Sequence, residues 1–524
     1  MRRLVVCLIV FALLATACGS GKGSSHRAQP APTAQPNIVF LLTDDLDQSE
    51  MAYMPTVRRL ITDQGVSFTN YFISDSLCCP SRTSILRGQY AHNTGVESNG
   101  DLNGGFETAY RLGIERSTIG VWMHAAGYRT GYIGKYLNQY PDTASETYVP
   151  PGWDEFDSAV AGSPYSEYNY VLNENRRLTY FGRKPVDYGT SVYIGKARRF
   201  IQTTKNKPFF LYLNVYAPHQ PATPAFGDRN VFPHAKAPRT PSFNEQPPGK
   251  PGWMHQLRHL GARGVRSLDA LYRDRIRSLQ AVDRGVGTLI ETLKATHRLD
   301  DTYFVFSSDN GFHLGQFRMP AGKETAYDTD IRVPLIVRGP GIPAGKTSDF
   351  MVGNIDLAPT FAKLGGARVP GFVDGRSFAP LLYDPGADPR PRRAYLLEHW
   401  RASRSESYGS GSGPSEPSDL DTGAEALARS ATGQAVPFID PGYIPRYFGL
   451  RTEHYMYVEY RKGSEMYKID SDPYEIHNIV YDPTNERLVA RFHTLVAKLK
   501  RCAGVTCRSL EGAPMPGAGA GAAQ

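Results

Sequence analysis

Three apolar runs of the sequence each lead into side chains that can bind a cation or move a proton. The runs are Asn37–Thr43, Pro208–Tyr216 and Thr302–Ser308. Carboxyl ends of parallel strands meet at one edge of a sheet, so the polar residues that follow are expected to converge there. Oxygen-only ligands suit a hard divalent cation, Ca²⁺ first and Mg²⁺ as the alternative. The residues that follow these runs are Asp44 and Asp45, His219, and Asp309 and Asn310.

A second chemical centre is Cys78, in the segment LCCPSRTSILRG of residues 77–88. Pro80 suits the first turn of a helix, which places Cys78 just before a helix N-terminus, where unpaired N–H groups favour an anion. Arg82 lies one turn further on, and its rigid guanidinium can hold an anionic group. An unreactive buried thiol pair is the structural alternative, and Cys79 is expected to be a packed free thiol.

The elements that must position these groups indicate an α/β fold. The apolar runs lack alternation, as strands buried on both faces should, and they are separated by longer helical stretches. Val333–Val337 is a fourth candidate strand, and a helix is predicted over about Asp269–Arg298 from its apolar spacing. On that helix we expect three arginines to form the solvated face: Arg273, Arg275 and Arg277.

These motifs resemble the sulfatase family. Its signature is Cys-x-Pro-Ser-Arg with a glycine six residues after the arginine, and residues 78–88 contain every fixed position; the second signature is GYRTGYIGKYL, residues 127–137. The resemblance implies an alkaline-phosphatase-like α/β sandwich, with a large central mixed, mostly parallel sheet and a small C-terminal antiparallel subdomain. It also implies that a formylglycine-generating enzyme converts Cys78 to Cα-formylglycine, whose hydrate is the nucleophile and a metal ligand.

The resemblance further assigns roles to individual residues. Lys135 and Lys323 would grip the sulfate, Arg82 would hold the converted side chain or a sulfate oxygen, and His219 with Lys323 would protonate the leaving alkoxide. The metal ligands would be Asp44, Asp45, Cys78, Asp309 and Asn310. Many sulfatases carry a histidine two residues after the Gly-Lys lysine, where this chain has Leu137 and then Asn138. Candidate contacts to the hydrated aldehyde or the substrate are therefore Asn93, Asn138 and His313.

The longer strings look like the branch of N-acetylglucosamine-6-sulfatases and extracellular heparan endosulfatases. Examples are LTDD, SDNGFHLGQF and VPLIVRGPGI, and the resemblance covers most of residues 37–382. It implies a sulfated carbohydrate substrate, with a sugar 6-sulfate first. The alternatives are an arylsulfatase, a phosphate or phosphonate ester hydrolase of the same superfamily, and a non-catalytic surface lipoprotein that binds sulfated glycans.

The first residues predict export. Residues 1–17 have the basic start, apolar centre and small-residue end of a signal peptide. The segment from Cys18 resembles a bacterial lipobox, so we expect a surface lipoprotein whose only membrane attachment is a lipid on Cys18, or else a secreted protein. Removing two arginines with the leader lowers the formal net charge from +8 to +6. This excess is not clustered as nucleic-acid binding requires.

Composition shifts divide the remaining chain. We predict a flexible tether over 18–36, a catalytic domain over 37–385, a linker with a flexible insertion (403–436) over 386–440, an antiparallel subdomain over 441–513, and a disordered tail over 514–524. Within the subdomain, residues 447–469 alternate as strands do and residues 485–500 predict a helix. Cys502 and Cys507 are expected to form the single disulfide.

Overall fold

The strand that leads into Asp44 and Asp45 lies in the middle of the central sheet and is buried along its whole length. It is β1 (Asn37–Thr43), as predicted. Its alternate side chains pack on opposite faces, which explains why the segment is apolar without alternation. The structure, a computed structural model, describes residues 35–100, 103–387, 391–400 and 444–514. The predicted signal peptide, the lipobox, most of the tether, the 403–436 insertion and nearly all of the tail lie outside the described residues.

The described strands include all four that the sequence predicts, with small shifts at their ends. The bounds are β1 (Asn37–Thr43), β2 (Val66–Phe68), β3 (Tyr71–Phe72), β4 (Arg129–Gly134), β5 (Glu155–Gly162), β6 (Tyr170–Glu174), β7 (Arg177–Phe181), β8 (Phe209–Asn214), β9 (Thr302–Ser308), β10 (His313–Leu314), β11 (Ala321–Gly322), β12 (Leu335–Arg338), β13 (Lys346–Ser348), β14 (Val352–Gly353), β15 (Ala394–His399), β16 (Tyr447–Thr452), β17 (Tyr455–Tyr460) and β18 (Ser464–Lys468).

The helices differ greatly in length, from single turns to one long rod. They are α1 (Pro55–Leu60), α2 (Cys78–Arg87), α3 (Ala91–Thr94), α4 (Gly105–Arg111), α5 (Ile119–Ala125), α6 (Gly189–Thr203), α7 (Ala262–Ala295), α8 (Asp328–Ile331), α9 (Leu357–Leu364), α10 (Ala379–Tyr383), α11 (Glu486–Leu499) and α12 (Val505–Glu511). Within the described residues, none of them is long and apolar enough to cross a bilayer.

A ten-stranded mixed sheet organises the fold, in the order β13-β2-β12-β9-β1-β8-β4-β5-β6-β7. Its five central strands, β9 to β5, run parallel, whereas β12, β6 and their outer neighbours introduce antiparallel pairs. The expected mixed, mostly parallel sheet is thus confirmed. Because β1 lies between β8 and β9, the carboxyl ends of these three strands meet at one edge.

Each face of the sheet is covered by its own apolar core. Phe40 of β1 packs with Phe361 of α9 on one face, while Val39 and Leu41 belong to the core that includes Leu279 and Val286 of α7 on the other. Both layers of helices therefore hold β1 from opposite sides. Because both faces of β1 are covered, its functional side chains are expected at its polar carboxyl end.

The long helix corrects one prediction. Helix α7 begins at Ala262 and ends at Ala295, several residues earlier at both ends than expected. Arg275 is not on a solvated face but is completely buried, with its guanidinium paired to Glu50 at 2.6 Å. Arg273 and Arg277 are partly buried and donate to the carbonyls of Ala235 and Val231. The loops that pack over α7 therefore supply carbonyl acceptors to its arginines.

The C-terminal antiparallel sheet is confirmed, with four strands in the order β15-β16-β17-β18. Its first strand, β15, comes from the segment predicted as linker, where apolar and polar residues do not alternate. Helix α11 lies within the predicted 485–500, and the Cys502–Cys507 disulfide is present. This sheet shares an apolar core with Phe72 and Tyr90 of the preceding part of the chain.

A histidine–carboxylate pair joins α3 to this C-terminal sheet and makes stability depend on pH. His92 Nδ1 lies 2.7 Å from Glu398 of β15, and its Nε2 lies 3.0 Å from the carbonyl of Cys502. Burial alone lowers the pKa of His92, but Glu398 and the Cys502 carbonyl outweigh it and raise that pKa to about 9. Protonated His92 is therefore the stabilising form.

We expect the stabilisation from His92 to be complete below pH about 6.5, the ordinary histidine pKa, and to be lost as the pH rises through about 9. Urea unfolding of the wild type and His92→Gln from pH 6 to 10 should show a free-energy difference that shrinks across this window. The exposed His493→Gln is the control and should show little difference. A difference constant with pH would contradict the assignment.

Candidate active site

Cys78 is the first residue of helix α2, and its side chain is completely buried. Leu77 before it is extended, and Pro80 occupies the first turn, where its missing N–H costs no hydrogen bond. Gly88 ends the helix in the left-handed region with φ 70°. The fixed proline and glycine of the motif therefore set the two ends of α2, and the helix presents its N-terminus to the edge of the sheet where β1, β8 and β9 end.

The acidic residues come together there because β1 and β9 are in register. Thr43 pairs with Ser308, so the residues that follow, Asp44–Asp45 and Asp309–Asn310, emerge side by side. The Asp45 N–H donates to Asp309 Oδ1 at 3.1 Å, and the Asn310 amide donates to Asp45 Oδ1 at 2.7 Å. Asp45 has φ 67°, a left-handed conformation in which a non-glycine residue is held only by its surroundings.

Three buried cations face these carboxylates and Cys78. Lys323 Nζ lies 2.9 Å from Cys78 Sγ and 2.9 Å from Asp45 Oδ1. Lys135 Nζ lies 2.8 Å from Asp44 Oδ2, and Arg82 Nε lies 2.8 Å from Asp309 Oδ2. The structure thus brings these seven predicted residues into one network around the first turn of α2.

A group of potential metal ligands lies in the same network. One ligand atom from each of Asp44, Asp45, Cys78 and His219 falls within 4.8 Å of the others, and all four residues are buried. Asp45 Oδ2 and Asn310 Oδ1 are buried without a hydrogen bond from any described residue. Leaving carboxylate and amide oxygens unsatisfied is costly in the interior, and a bound cation would satisfy both. The donor set fits a hard divalent ion.

Burial and the surrounding charges act together on the pKa values of Cys78, Asp44 and Asp309, and the net shift differs among the three residues. Burial raises the pKa of the Cys78 thiol and nearby Asp44 adds to that rise, against Lys135 and Lys323, so the thiol is neutral at pH 7. Burial also raises the pKa of Asp44, but Lys135, His219, Arg82 and Lys323 together hold it well below its usual value. For Asp309, burial and the charge of Asp44 exceed the effect of Arg82 and raise its pKa to about 6.

Two supporting residues were missed by the sequence analysis. Arg275 donates to the Asp45 carbonyl at 2.6 Å and so helps to hold the strained Asp45 backbone. Arg275 lies one turn from both Leu271 and Leu279, on the apolar stripe of α7, and this spacing indicates a buried position. Tyr165 follows β5; its ring centroid is 4.7 Å from that of His219 and 4.9 Å from Lys135 Nζ. No motif in the sequence marked Tyr165.

His219 and the three candidate substrate contacts are placed differently. The His219 ring lies with Asp44 and Cys78, and its Nδ1 is 2.7 Å from the carbonyl of Gln220. Asn138 is buried in the loop after Lys135, and its carbonyl accepts from the Phe106 N–H at 2.7 Å.

The other two have local partners. His313 Nδ1 lies 2.9 Å from Asp330 Oδ2, and its ring packs close to Gly322, directly before Lys323. The amide of Asn93 donates to Asp374 at 2.8 Å and to the Cys502 carbonyl at 2.9 Å. Because these bonds engage the amide group in holding the disulfide loop, the contacts of Asn93 favour a structural role over the substrate contact that the sequence suggested.

Comparison with known proteins agrees with this geometry. The sequence model of the sulfatase family matches residues 36–367. N-acetylglucosamine-6-sulfatase of Homo sapiens is 33% identical over 511 residues, covering 91% of this chain and 87% of that protein. The chain belongs to the sulfatase family. An extracellular sulfatase Sulf-1 homologue of Caenorhabditis elegans is 37% identical over 357 residues, covering 67% of this chain and 49% of that protein, so this sulfatase spans about half of that relative's length.

A solved structure shows the same fold. It is described as a complex with its substrate D-glucosamine-2-N,6-O-disulfate, and it matches with a TM-score of 0.71 and 22% identity. The match covers 91% of this chain and 99% of the other. The alkaline-phosphatase-like architecture expected from the motifs is therefore confirmed.

Metal binding at this site can be tested by measuring the melting temperature with and without the ion. We expect Ca²⁺ to raise the melting temperature of the wild-type protein, because an ion bound only by the folded state adds about 2.7 kcal/mol at one hundred times its Kd. Asp45→Ala should abolish the rise, since Asp45 offers a buried oxygen that no described residue satisfies.

Asp283→Asn is a matched control: Asp283 is a buried carboxylate that caps α1 by accepting from Thr56 and Val57. This variant should melt lower but keep the full Ca²⁺ response. An unchanged response in Asp45→Ala would place the ion elsewhere.

Proposed function

We propose that this protein is a metal-dependent sulfatase that hydrolyses sulfate monoesters of carbohydrates, with converted Cys78 as the nucleophile. The observation that carries the proposal is the position of Cys78: buried at the N-terminus of α2, with Lys323 Nζ at 2.9 Å and Asp44 Oδ1 at 3.4 Å. A reactive side chain so placed is surrounded by fixed positive charge and by oxygen ligands.

The charges around Cys78 suit a sulfate group. Arg82, Lys135 and Lys323 are all buried, so their charges act in a medium of low polarity and are stronger than at the surface. Asp44, Asp45 and Asp309 balance them in the free protein. Negative charge that develops on the sulfate in the transition state would meet these fixed cations without reorganisation.

The carboxylates have a second role in this proposal. Asp44, Asp45, Asp309 and Asn310, with the converted Cys78 side chain, would hold a divalent ion, which supplies positive charge to the sulfate and to the nucleophilic hydroxyl. Ca²⁺ is favoured over Mg²⁺ because the ligands come from several strand ends and loops, and Ca²⁺ accepts such irregular oxygen sets. These acids and the amide offer only oxygen atoms as ligands, and neither zinc nor copper prefers such a ligand set.

Conversion of Cys78 would supply the nucleophile that a buried, neutral thiol cannot provide. The thiol is neutral at pH 7 because burial raises its pKa, and a neutral thiol is a poor nucleophile. In Cα-formylglycine, Sγ is replaced by an aldehyde oxygen, and the hydrate carries two hydroxyl groups. One can attack sulfur while the ester oxygen departs, and the other can then expel sulfate by re-forming the aldehyde.

Protonation of the departing ester oxygen falls to His219 and Lys323 in this proposal. His219 Nδ1 faces the Gln220 carbonyl at 2.7 Å, which leaves Nε2 directed toward Asp45 Oδ2 at 3.6 Å, on the side of the network. Lys323 already contacts the side chain of Cys78. Both groups are therefore within the cluster from which a proton has to come.

A sugar 6-sulfate is the substrate class that we favour. The human relative that aligns with 91% of the chain is an N-acetylglucosamine-6-sulfatase, and the solved structure with the same fold is described with a glucosamine disulfate as its substrate. Extracellular relatives and the signal-like first 17 residues support export, with lipidation of Cys18 as the anchor and a formylglycine-generating enzyme as the maturation partner.

The modification is the sharpest test of the mechanism. We expect peptide mass spectrometry of active protein to show Cys78 lighter by about 18 Da, the formula difference between cysteine and formylglycine. We expect Cys78→Ala to reduce turnover of N-acetylglucosamine 6-sulfate at least about 1,000-fold, because the nucleophile is lost. The neighbouring Cys79→Ala is the control and should retain turnover, since Cys79 lies in the apolar core.

Active protein that contains only unmodified Cys78 would refute the mechanism. Faster turnover of the matching phosphate ester than of the sulfate ester in the same assay would instead identify a phosphoester hydrolase on this fold.

A further inference from the structure

The surface beside the hairpin that leads to Lys323 carries an excess of positive charge. Residues 229–266 contain seven lysine or arginine residues and a single acid, Glu245, and the nearest acids on either side are Asp228 and Asp269. No dense basic run marks these cations in the sequence, because they are spread over 38 residues. The fold brings four of them together with a neighbouring arginine, and we call this surface the basic face: Lys236, Arg239, Arg258, Arg266 and Arg318.

Contacts along α7 bring three of these residues together. Arg239 Nη2 lies 2.6 Å from Asp269 Oδ1, and Arg266 is three residues before Asp269 on the same helix, so the two arginines lie close to one another. The Ala237 N–H donates to the same Asp269 oxygen at 3.0 Å, which places Lys236 beside this pair. One carboxylate thus lies among three cations.

Asn244 joins Arg258 and Arg318 to the same surface. Its side-chain oxygen accepts from the backbone N–H two residues after Arg258, at 2.7 Å. Its carbonyl accepts from Arg318 Nε at 3.4 Å. Phe243, directly before Asn244, lies under the Arg239 guanidinium with 4.2 Å to the ring centroid. Both groups of cations therefore belong to one continuous face.

Most of the positive charge of the basic face is not neutralised within the protein. Three of its cations are exposed and form no ion pair with any described residue: Lys236, Arg258 and Arg266. Like charges held close together repel one another, and a bound anionic partner removes that repulsion. The charge pattern therefore points to a partner with several negative groups.

The β10–β11 hairpin connects the basic face to the sulfatase centre. Arg318 lies in the loop of this hairpin, Asn310 comes shortly before β10, and Lys323 directly follows β11. The loop is fixed to the face by the Phe317 N–H, which donates to the Ser242 carbonyl at 2.7 Å. Because Arg318 is five residues before Lys323, their Cα atoms are at most about 18 Å apart. A carbohydrate chain of several rings can span this distance.

We propose that the basic face binds neighbouring anionic groups of a polymeric sulfated carbohydrate while one 6-sulfate of the same chain occupies the centre at Cys78. This proposal rests on the proposed sulfatase function and narrows its substrate to a polymer. A monosaccharide 6-sulfate has one anionic group, which the centre itself uses, so it has none to offer the face. Sulfate and carboxylate groups repeated along a polymer can contact separate cations and release counter-ions, as other polyanions do on binding.

Nucleic acid matches the basic face less well. Binding of single strands relies on aromatic rings on which bases stack, and the ring of Phe243 is partly buried beneath Arg239. The predicted signal peptide also takes the protein away from the nucleic acids of its own cell. A sulfated polysaccharide is therefore the partner that the charge pattern and the predicted export favour together.

Heparin binding tests the basic face without any turnover. We expect the triple variant Lys236→Gln/Arg258→Gln/Arg266→Gln to bind heparin about 3- to 100-fold more weakly than the wild type at low ionic strength, the sum of three exposed charge contacts. The affinity of the wild type should fall steeply as salt is added, and that of the variant less steeply. The melting temperature should stay unchanged, because these exposed side chains form no ion pairs.

The matched control is the triple variant Arg198→Gln/Arg199→Gln/Lys205→Gln. It removes the same number of exposed charges from α6 and the loop after it, near the amino end of β8, whereas the sulfatase centre lies beyond the carboxyl end of that strand. Its heparin affinity should stay within about twofold of the wild type, because charges this distant are screened. Equal weakening in both variants would overturn the proposal, as would double-stranded DNA that binds the wild type more tightly than heparin does at the same salt concentration.

Kinetics connect the basic face to the substrate. The ratio of kcat/KM for N-acetylated heparin to kcat/KM for N-acetylglucosamine 6-sulfate should fall about 3- to 100-fold in the variant of the basic face, through KM and not kcat, because the face holds the chain equally in the ground and transition states. The control should keep the wild-type ratio. A variant that loses heparin binding but keeps this ratio would overturn the link to the substrate. A wild type that releases sulfate from neither compound would refute the sulfatase function, and the heparin comparison would still decide whether the face binds the polymer.

Discussion

Compensation of buried charge is the constraint on which this structure depends. Asp44, Asp309, Arg82, Lys135 and Lys323 are all almost completely inaccessible to solvent, and each would be unstable there alone. They are tolerated because every positive group faces a carboxylate within hydrogen-bonding distance. The parallel register of β1 and β9 brings the acids together, and α2 and the Lys135 and Lys323 loops bring the bases.

Support for this charged centre comes from distant parts of the chain. Arg275 of α7 reaches the Asp45 carbonyl, and Arg451 of β16 pairs with Asp328, five residues after Lys323. Lys250 lies above the ring of Tyr327 and donates to its hydroxyl, which holds the same segment from another side. The C-terminal sheet is therefore part of the structure that positions Lys323.

The sequence predicted those elements whose local residue pattern follows directly from their place in the fold. The unbroken apolar runs predicted β1, β8 and β9, and their polar ends predicted the acids and His219, because strand ends and ligand sites coincide in parallel sheets. Arg275 was misassigned because a charged residue was read by its type and not by its place on the apolar stripe of α7. Tyr165 left no signal, since its contacts with His219 and Lys135 arise only in the folded chain.

The complete burial of Cys78 imposes an order on biosynthesis. Its side chain is completely buried in the folded protein, so a protein-sized catalyst could not contact it there. Any enzymatic oxidation of this cysteine must then act on a nascent or still extended polypeptide, and the competition between modification and folding would set the fraction of molecules that become active.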